Sequence, residues 1–432
     1  MNQPRRDAYP DALRACALLV VVFGHWIATL PRVHGGVLVE TEHLLRIWDG
    51  AGVLTWFVQV VPLFVFVSAA VSADGVERRW RQGDRQLHWW AGRALGLARP
   101  TLTYLAVLAA LAAAALFSGG RLLEVFNHSL TIHLWFLLML LTVQALLPLS
   151  LWLDRCAGAG AIAGLVALAA LLDLLRAGVW TPAELRWLGR HVLDAPAGVA
   201  WLNMLVVWLL PQQLGIAWRR GRFSGAAAGA GFALLGAAWL LLAISSGYPV
   251  AMVGVGLAGN NMLPPTLALI GVMWLQVGAV LLLERPARWL LERHPAARLV
   301  AILGALGMPL YLWHKLAELP AAWLGERLGL PIDAGDPGQP GFWLGRALWI
   351  GLCLLMVAPV IAVVVRFELR RTRDVAATRS PATILCGGLA LYLGLAAALV
   401  LGAWPGALIG LAGVGVASFL LRARPSPRAG AP

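Results

Sequence analysis

With 432 residues, 60% of them hydrophobic and 13% charged, and a positive mean hydropathy, the chain carries about half the charged fraction of an ordinary soluble domain and is excluded from that class. The formal net charge of +13 would point to nucleic acid in a soluble protein, but here the arginines sort by loop, so the expected partner is a lipid bilayer and no nucleic acid is expected. The four cysteines, Cys16, Cys156, Cys353 and Cys386, are widely spaced, which gives neither a disulfide framework nor a metal-ligand spacing, and no metal is expected.

The first apolar run, 11–30, contains one arginine, Arg14, and one histidine, His25. Eleven residues at about 100° each bring the two to within roughly 20° on one helical face, some 16 Å apart along the axis. Facing lipid, such groups cost several kcal/mol, so the pair is expected to face the protein interior or a water-filled cavity. Taken singly, Arg14 snorkelling to headgroups and His25 as a satisfied core histidine are the plain alternatives; the alignment of the two favours a site. Arg5 and Arg6 precede a run of spanning length with no clear cleavage site, so the first span is expected to stay.

Further runs of spanning length fall near 52–73, 92–117, 130–151, 159–176, 199–218, 225–245, 262–283, 298–325, 342–365, 383–403 and 405–421, making twelve with the first. The expected fold is an all-α polytopic helical bundle. Arg78, Arg79, Arg81 and Arg85, then Arg219, Arg220 and Arg222, then Arg285, Arg288, Arg293 and Arg298, then Arg366, Arg370, Arg371 and Arg373, and finally Arg422, Arg424 and Arg428 fall on the side of Arg5 and Arg6. Glu40, Glu42, Asp49, Glu184, Asp194, Asp333 and Asp336 fall on the other. By the positive-inside rule both termini are cytoplasmic, as in a multi-pass protein of the inner cell membrane.

Along these spans, Arg93 and Arg99, the latter followed by Pro100, enter the third; His133 and Trp135 open the fourth; and the ninth carries Tyr311, His314, Lys315, the chain's single lysine, and Glu318. His314 and Glu318 are four apart and expected to share a helical face. Ionisable groups gathered in one span mark a site more often than packing. With no soluble domain in view, any chemistry belongs to the membrane domain. Twelve spans with intramembrane charges also suit a secondary transporter, for which the stretch Gly259 to Pro265, with Asn260 in it, would supply one broken segment.

Five motifs together resemble the acyltransferase-3 family of polytopic membrane acyltransferases: Arg14 and His25 in the first span, Val61 to Ser68 in the second, Arg93 through Arg99-Pro100, His133-Leu134-Trp135-Phe136-Leu137, and Pro309 to His314. Ser68-Ala69 replaces the family's usual Ser-Gly pair. The resemblance implies a ten-helix acyltransferase domain over 1–375, followed by an extra C-terminal transmembrane hairpin and tail over 376–432. It implies transfer of an acyl group, acetyl above all, from cytoplasmic acyl-CoA to a hydroxyl of a sugar, glycolipid, surface polysaccharide or small secondary metabolite. Arg14, Arg93 and Arg99 are then expected donor contacts, because guanidinium groups bind phosphate bidentately. His25 is the expected general base, with His314 as fallback. The oxyanion donor is left open among His133, Trp135 and His314, and Trp135 and Glu318 are expected to meet substrate.

Overall fold

The computed structural model describes residues 7–48, 50–83, 86–176, 198–254, 261–333, 335–368 and 379–422. Asp49, Arg85, Glu184, Asp194, Gly259, Asn260, Arg370, Arg371 and Arg373, together with Arg5, Arg6, Arg424 and Arg428, lie outside them. Among the described residues the fold is an all-α polytopic membrane architecture, with nine helices long and apolar enough to cross a bilayer. A tenth is the pair Ile132–Ala145 and Leu147–Ala157, bent by 47° where Pro148 follows. Ala159–Arg176 is shorter, and the last apolar stretch holds two helices, Pro381–Leu401 and Ala407–Leu421. Each of the twelve apolar runs thus contains a helix.

The chain divides into two compact units. The first comprises Met1–Gly24, His43–Gly75 and Leu146–Ala305. Within it, Gly225–Ser245 and Leu267–Leu291 run antiparallel at close range, because Gly229 and Gly236 on one and Gly271 and Gly278 on the other recur every seven residues. A Cβ on Gly236 would lie 2.6 Å from the Leu275 nitrogen, and one on Gly278 would lie 2.7 Å from the Ala233 nitrogen. Small residues are what let helix backbones approach in lipid, where no hydrophobic force drives them together. Buried Asp154 is held by Arg220 and by Arg222 at 3.0 Å, and buried Asp173 accepts from the Leu267 N–H at 2.8 Å, closing the start of that helix.

The second unit comprises His25–Glu42, Val76–Ala145 and Leu306–Pro432. Its last two helices form an antiparallel hairpin: a Cβ on Gly413 would come 2.7 Å from the Gly394 Cα, and Gly387 faces Leu421. The turn between them is satisfied by Asn127, whose side-chain oxygen accepts from the backbone N–H of Ala403 at 2.7 Å and of Trp404 at 3.2 Å.

Three details differ from the sequence reading. The first helix, α1 (Ala8–Ala28), stops short of residue 30, and the chain continues into a two-stranded hairpin of β1 (Thr29–His34) and β2 (Val37–His43). Gly35 and Gly36, at φ of 59° and 80°, supply the left-handed turn that such a hairpin needs. Polar contacts pin it: Arg32 reaches Glu42 at 2.7 Å and Asp336 at 3.0 Å, and Arg121 and Glu326, paired at 2.8 Å, hold the Leu38 carbonyl and N–H. Burial acts to lower the Arg32 pKa, but its hydrogen bonds to Glu42 and Asp336 outweigh that and the net direction is upward. The run 298–325 is likewise two helices, His294–Trp313 and Glu318–Arg327, joined by a turn at 314–317. His314 and Glu318 therefore do not share a continuous helical face.

Candidate functional site

The polar residues of the second unit gather where α1 ends and where the helix His294–Trp313 gives way to its turn. His314 is fully buried and His25, three residues before the end of α1, is half-buried. His25 Nδ1 and His314 Nε2 are 2.8 Å apart, with the two rings nearly parallel at an interplanar angle of 15°. The other nitrogen of His314, Nδ1, lies 2.7 Å from the Tyr311 carbonyl oxygen. A carbonyl only accepts, so His314 Nδ1 carries hydrogen, and in the neutral ring Nε2 is then the acceptor. His25 must consequently donate from Nδ1, which leaves the lone pair of its neutral ring on Nε2. Backbone geometry thus dictates the tautomers of both histidines. Trp26 Nε1 donates to the His314 carbonyl at 3.0 Å and fixes the turn against α1.

Below this pair lies an ion pair. Lys315 Nζ donates to both carboxylate oxygens of Glu318, at 2.7 and 2.8 Å, and to Thr29 Oγ1 at 3.2 Å. Lys315 and Glu318 are 4% and 0% exposed, so each is the counter-charge that makes the other's burial tolerable. Glu318 is thereby committed to Lys315 and Thr29.

His133 stands differently. It is 1% exposed, its ring packs edge-on against Tyr104, Tyr311 and His314 at centroid distances of 5.4, 5.5 and 5.5 Å, and neither ring nitrogen has a hydrogen-bond partner among the described residues. The Tyr311 hydroxyl donates to the His133 carbonyl and that of Tyr104 to the Leu130 carbonyl, the latter at 2.5 Å, so the two tyrosines hold the backbone on which His133 sits.

The structure brings His25, His133, His314 and Glu318 together in one unit. Trp135, half-buried, opens the helix Trp135–Ala145 and packs against Phe136. Arg14 belongs to the first unit and has a carboxylate of its own, Asp11, one turn earlier on α1. Arg93 and Arg99 belong to the second unit on the helix Gln86–Ser118; Arg93 lies 5.7 Å from the Trp89 ring centroid, and Arg99 Nε is buried without a hydrogen-bond partner among the described residues. The sequence reading passed over Thr29, Trp26 and Arg346. Arg346 is 2% exposed and donates to the carbonyls of Thr29 at 2.6 Å and Ile332 at 2.8 Å. Its signal was an arginine inside an otherwise apolar run, the same signal that singles out Arg14.

Residues 7–366 match the family model described as an acyltransferase domain, which covers most of the chain. No match is found among curated proteins or among solved structures.

Proposed function

The chain belongs to the acyltransferase-3 family and is a membrane acyltransferase, and we propose that it moves an acyl group, acetyl in the first instance, from acyl-CoA to a hydroxyl of a sugar, glycolipid, surface polysaccharide or small secondary metabolite. The observation that carries this reading is the 2.8 Å contact of His25 with His314, whose tautomers are dictated by the Tyr311 carbonyl.

His25 Nε2 accepts the proton of the acceptor hydroxyl as its oxygen attacks the thioester carbon. His314, accepting from His25 Nδ1–H, steadies the imidazolium that forms. When the tetrahedral intermediate collapses, the C–S bond breaks and the proton on His25 passes to the departing thiolate, giving an ester and a free thiol. A ring N–H of His133, which has no hydrogen-bond partner among the described residues, serves the oxyanion; both nitrogens of His314 are engaged, so His314 does not. Arg99, with no ion pair among the described residues, is the first candidate for a donor phosphate, and Arg93 the second. Arg14, in the first unit, is held by Asp11 and is left out of the proposed donor contacts. Glu318 supports the site through Lys315 rather than meeting substrate. Both termini lie in the cytoplasm of a cell whose inner membrane the chain spans, and the donor enters from that side.

The test uses the full chain in lipid nanodiscs with radiolabelled acetyl-CoA and a membrane extract of a deletion strain. Label should enter an ester-linked glycan, lipid or metabolite fraction, and Arg99→Gln should weaken acetyl-CoA binding about tenfold, the worth of one charge-assisted contact. Absence of any acetyl-CoA binding by the wild type would overturn the donor assignment.

A further inference from the structure

The site has two connections between α1 and the segment bearing His314. One is the imidazole pair itself. The other runs from Thr29, four residues after His25, to Lys315, the residue directly after His314. Thr29 Oγ1 accepts from Lys315 Nζ at 3.2 Å and lies 3.0 Å from the His25 carbonyl oxygen and 3.4 Å from Glu318 Oε1, either of which takes its one hydroxyl proton. The Thr29 carbonyl is held from another side by Arg346, which also grips Ile332. The last-turn carbonyls of a helix lack intrahelical donors, and His25 contributes one of them. A β-branched residue at the first position past the helix, with a hydroxyl reaching back four residues, closes that turn.

We propose that Thr29 is a positioning residue for the reaction: its hydroxyl, accepting from Lys315 and donating to the His25 carbonyl, closes the last turn of α1 and sets the separation and tilt of the His25 ring against His314. The two contacts, His25 with His314 and Thr29 with Lys315, complete a ring through adjacent residues on one side and a single helical turn on the other. Opening one of them lets the His25 imidazole move while the helix stays folded. Arg346 holds the Thr29 backbone through its carbonyl and leaves the hydroxyl to the site. This rests on His25 as the base.

Thr29→Val keeps the shape and removes the hydroxyl; Thr29→Ser keeps the hydroxyl and loses a methyl. Both are measured in the full chain in nanodiscs beside His25→Ala, with acetyl-CoA turnover giving kcat and KM, and with ¹⁵N-labelled histidine spectra reporting the tautomers and the His25–His314 hydrogen bond in the absence of substrate. Thr29→Val should lower kcat about tenfold to a hundredfold, as displacements of about 1 Å do, with KM for acetyl-CoA nearly unchanged. It should also alter the histidine spectrum, and Thr29→Ser should restore both. Wild-type turnover and spectrum in Thr29→Val overturn the proposal, as does a loss of activity that only follows the loss of folded protein with the spectrum intact. Full activity in His25→Ala overturns the base reading instead, and the spectra of the two Thr29 variants then decide the positioning claim alone.

Discussion

His25 and His133 lie in the same unit, and both neighbour His314, yet they are built in opposite ways. His25 is half-buried, and its Nδ1 belongs to a hydrogen-bonded chain ending on a backbone carbonyl. His133 is buried among aromatic edges with both nitrogens idle. The first arrangement fixes a tautomer and leaves a defined lone pair, as a base requires. The second leaves an imidazole N–H desolvated in advance, at a cost of about 1–3 kcal/mol that the resting protein does not recover. Stability alone would remove such a group, and the proposed mechanism gives it a use, a charge that develops during reaction.

The largest effect separates the two directly. His25→Ala should lower turnover by about a hundredfold to ten-thousandfold, the range for loss of a positioned base, with insertion and thermal unfolding close to wild type. A folded variant within a few-fold of wild type would remove His25 as base. His133→Phe should divide stability from activity. Removing an unpaired buried polar group should raise stability by about 1–2 kcal/mol, while loss of an oxyanion donor should cut kcat about a hundredfold or more. Thermal unfolding and turnover on the same preparation check this, and a variant unchanged in both would make His133 a packing residue.

Much of this contrast was legible in the sequence, but not its wiring. Apolar length marks each span, because a bilayer demands about 20 residues of uninterrupted helix, and a histidine or arginine inside such a run stands out for the same reason. The end of α1 was lost because Thr29 and Leu30 are apolar enough to continue a span; the decisive signal was local, the Gly35-Gly36 pair between two alternating stretches. The turn at 314–317 carries no glycine to announce it, so His314 and Glu318 read as one helical face when Glu318 in fact pairs with Lys315. Hydrogen-bond direction depends on which carbonyl lies 2.7 Å from a ring nitrogen, and residue spacing does not encode that. The spans marked the histidines that the structure gathers into one unit. Their tautomers follow from the backbone around them.

A smaller effect sharpens the wired side. His314→Ala should lower kcat about tenfold to a hundredfold by leaving the imidazolium of His25 without its acceptor, and His314→Gln should recover part of it, since the carboxamide oxygen also accepts from an N–H. If Gln is no better than Ala, accepting from His25 is not what His314 contributes. The same pair of variants should leave acetyl-CoA binding unchanged, because neither touches the arginines.

Trp26 gives the smallest expected effect and the finest reading of how the pair is held. Its indole is fully buried, lies edge-on to the His314 ring at 6.4 Å, and donates to the His314 carbonyl at 3.0 Å. That bond acts on the backbone of the turn rather than on either imidazole, so Trp26→Phe removes the donor while keeping an aromatic ring against His314. The carbonyl left behind is buried, and the variant should lose about 1–3 kcal/mol of stability, measured as a lower unfolding midpoint, with part of that loss coming from the smaller ring. Turnover should fall only about twofold to fivefold, since His314 keeps its Nδ1–H bond to Tyr311 and its Nε2 contact with His25. Trp26→Phe should therefore cost stability more than rate, the reverse of His133→Phe. If turnover instead collapses as far as in His314→Ala, the turn backbone governs the imidazole pair, and the contrast between a wired and an idle histidine becomes one between a movable and a fixed backbone.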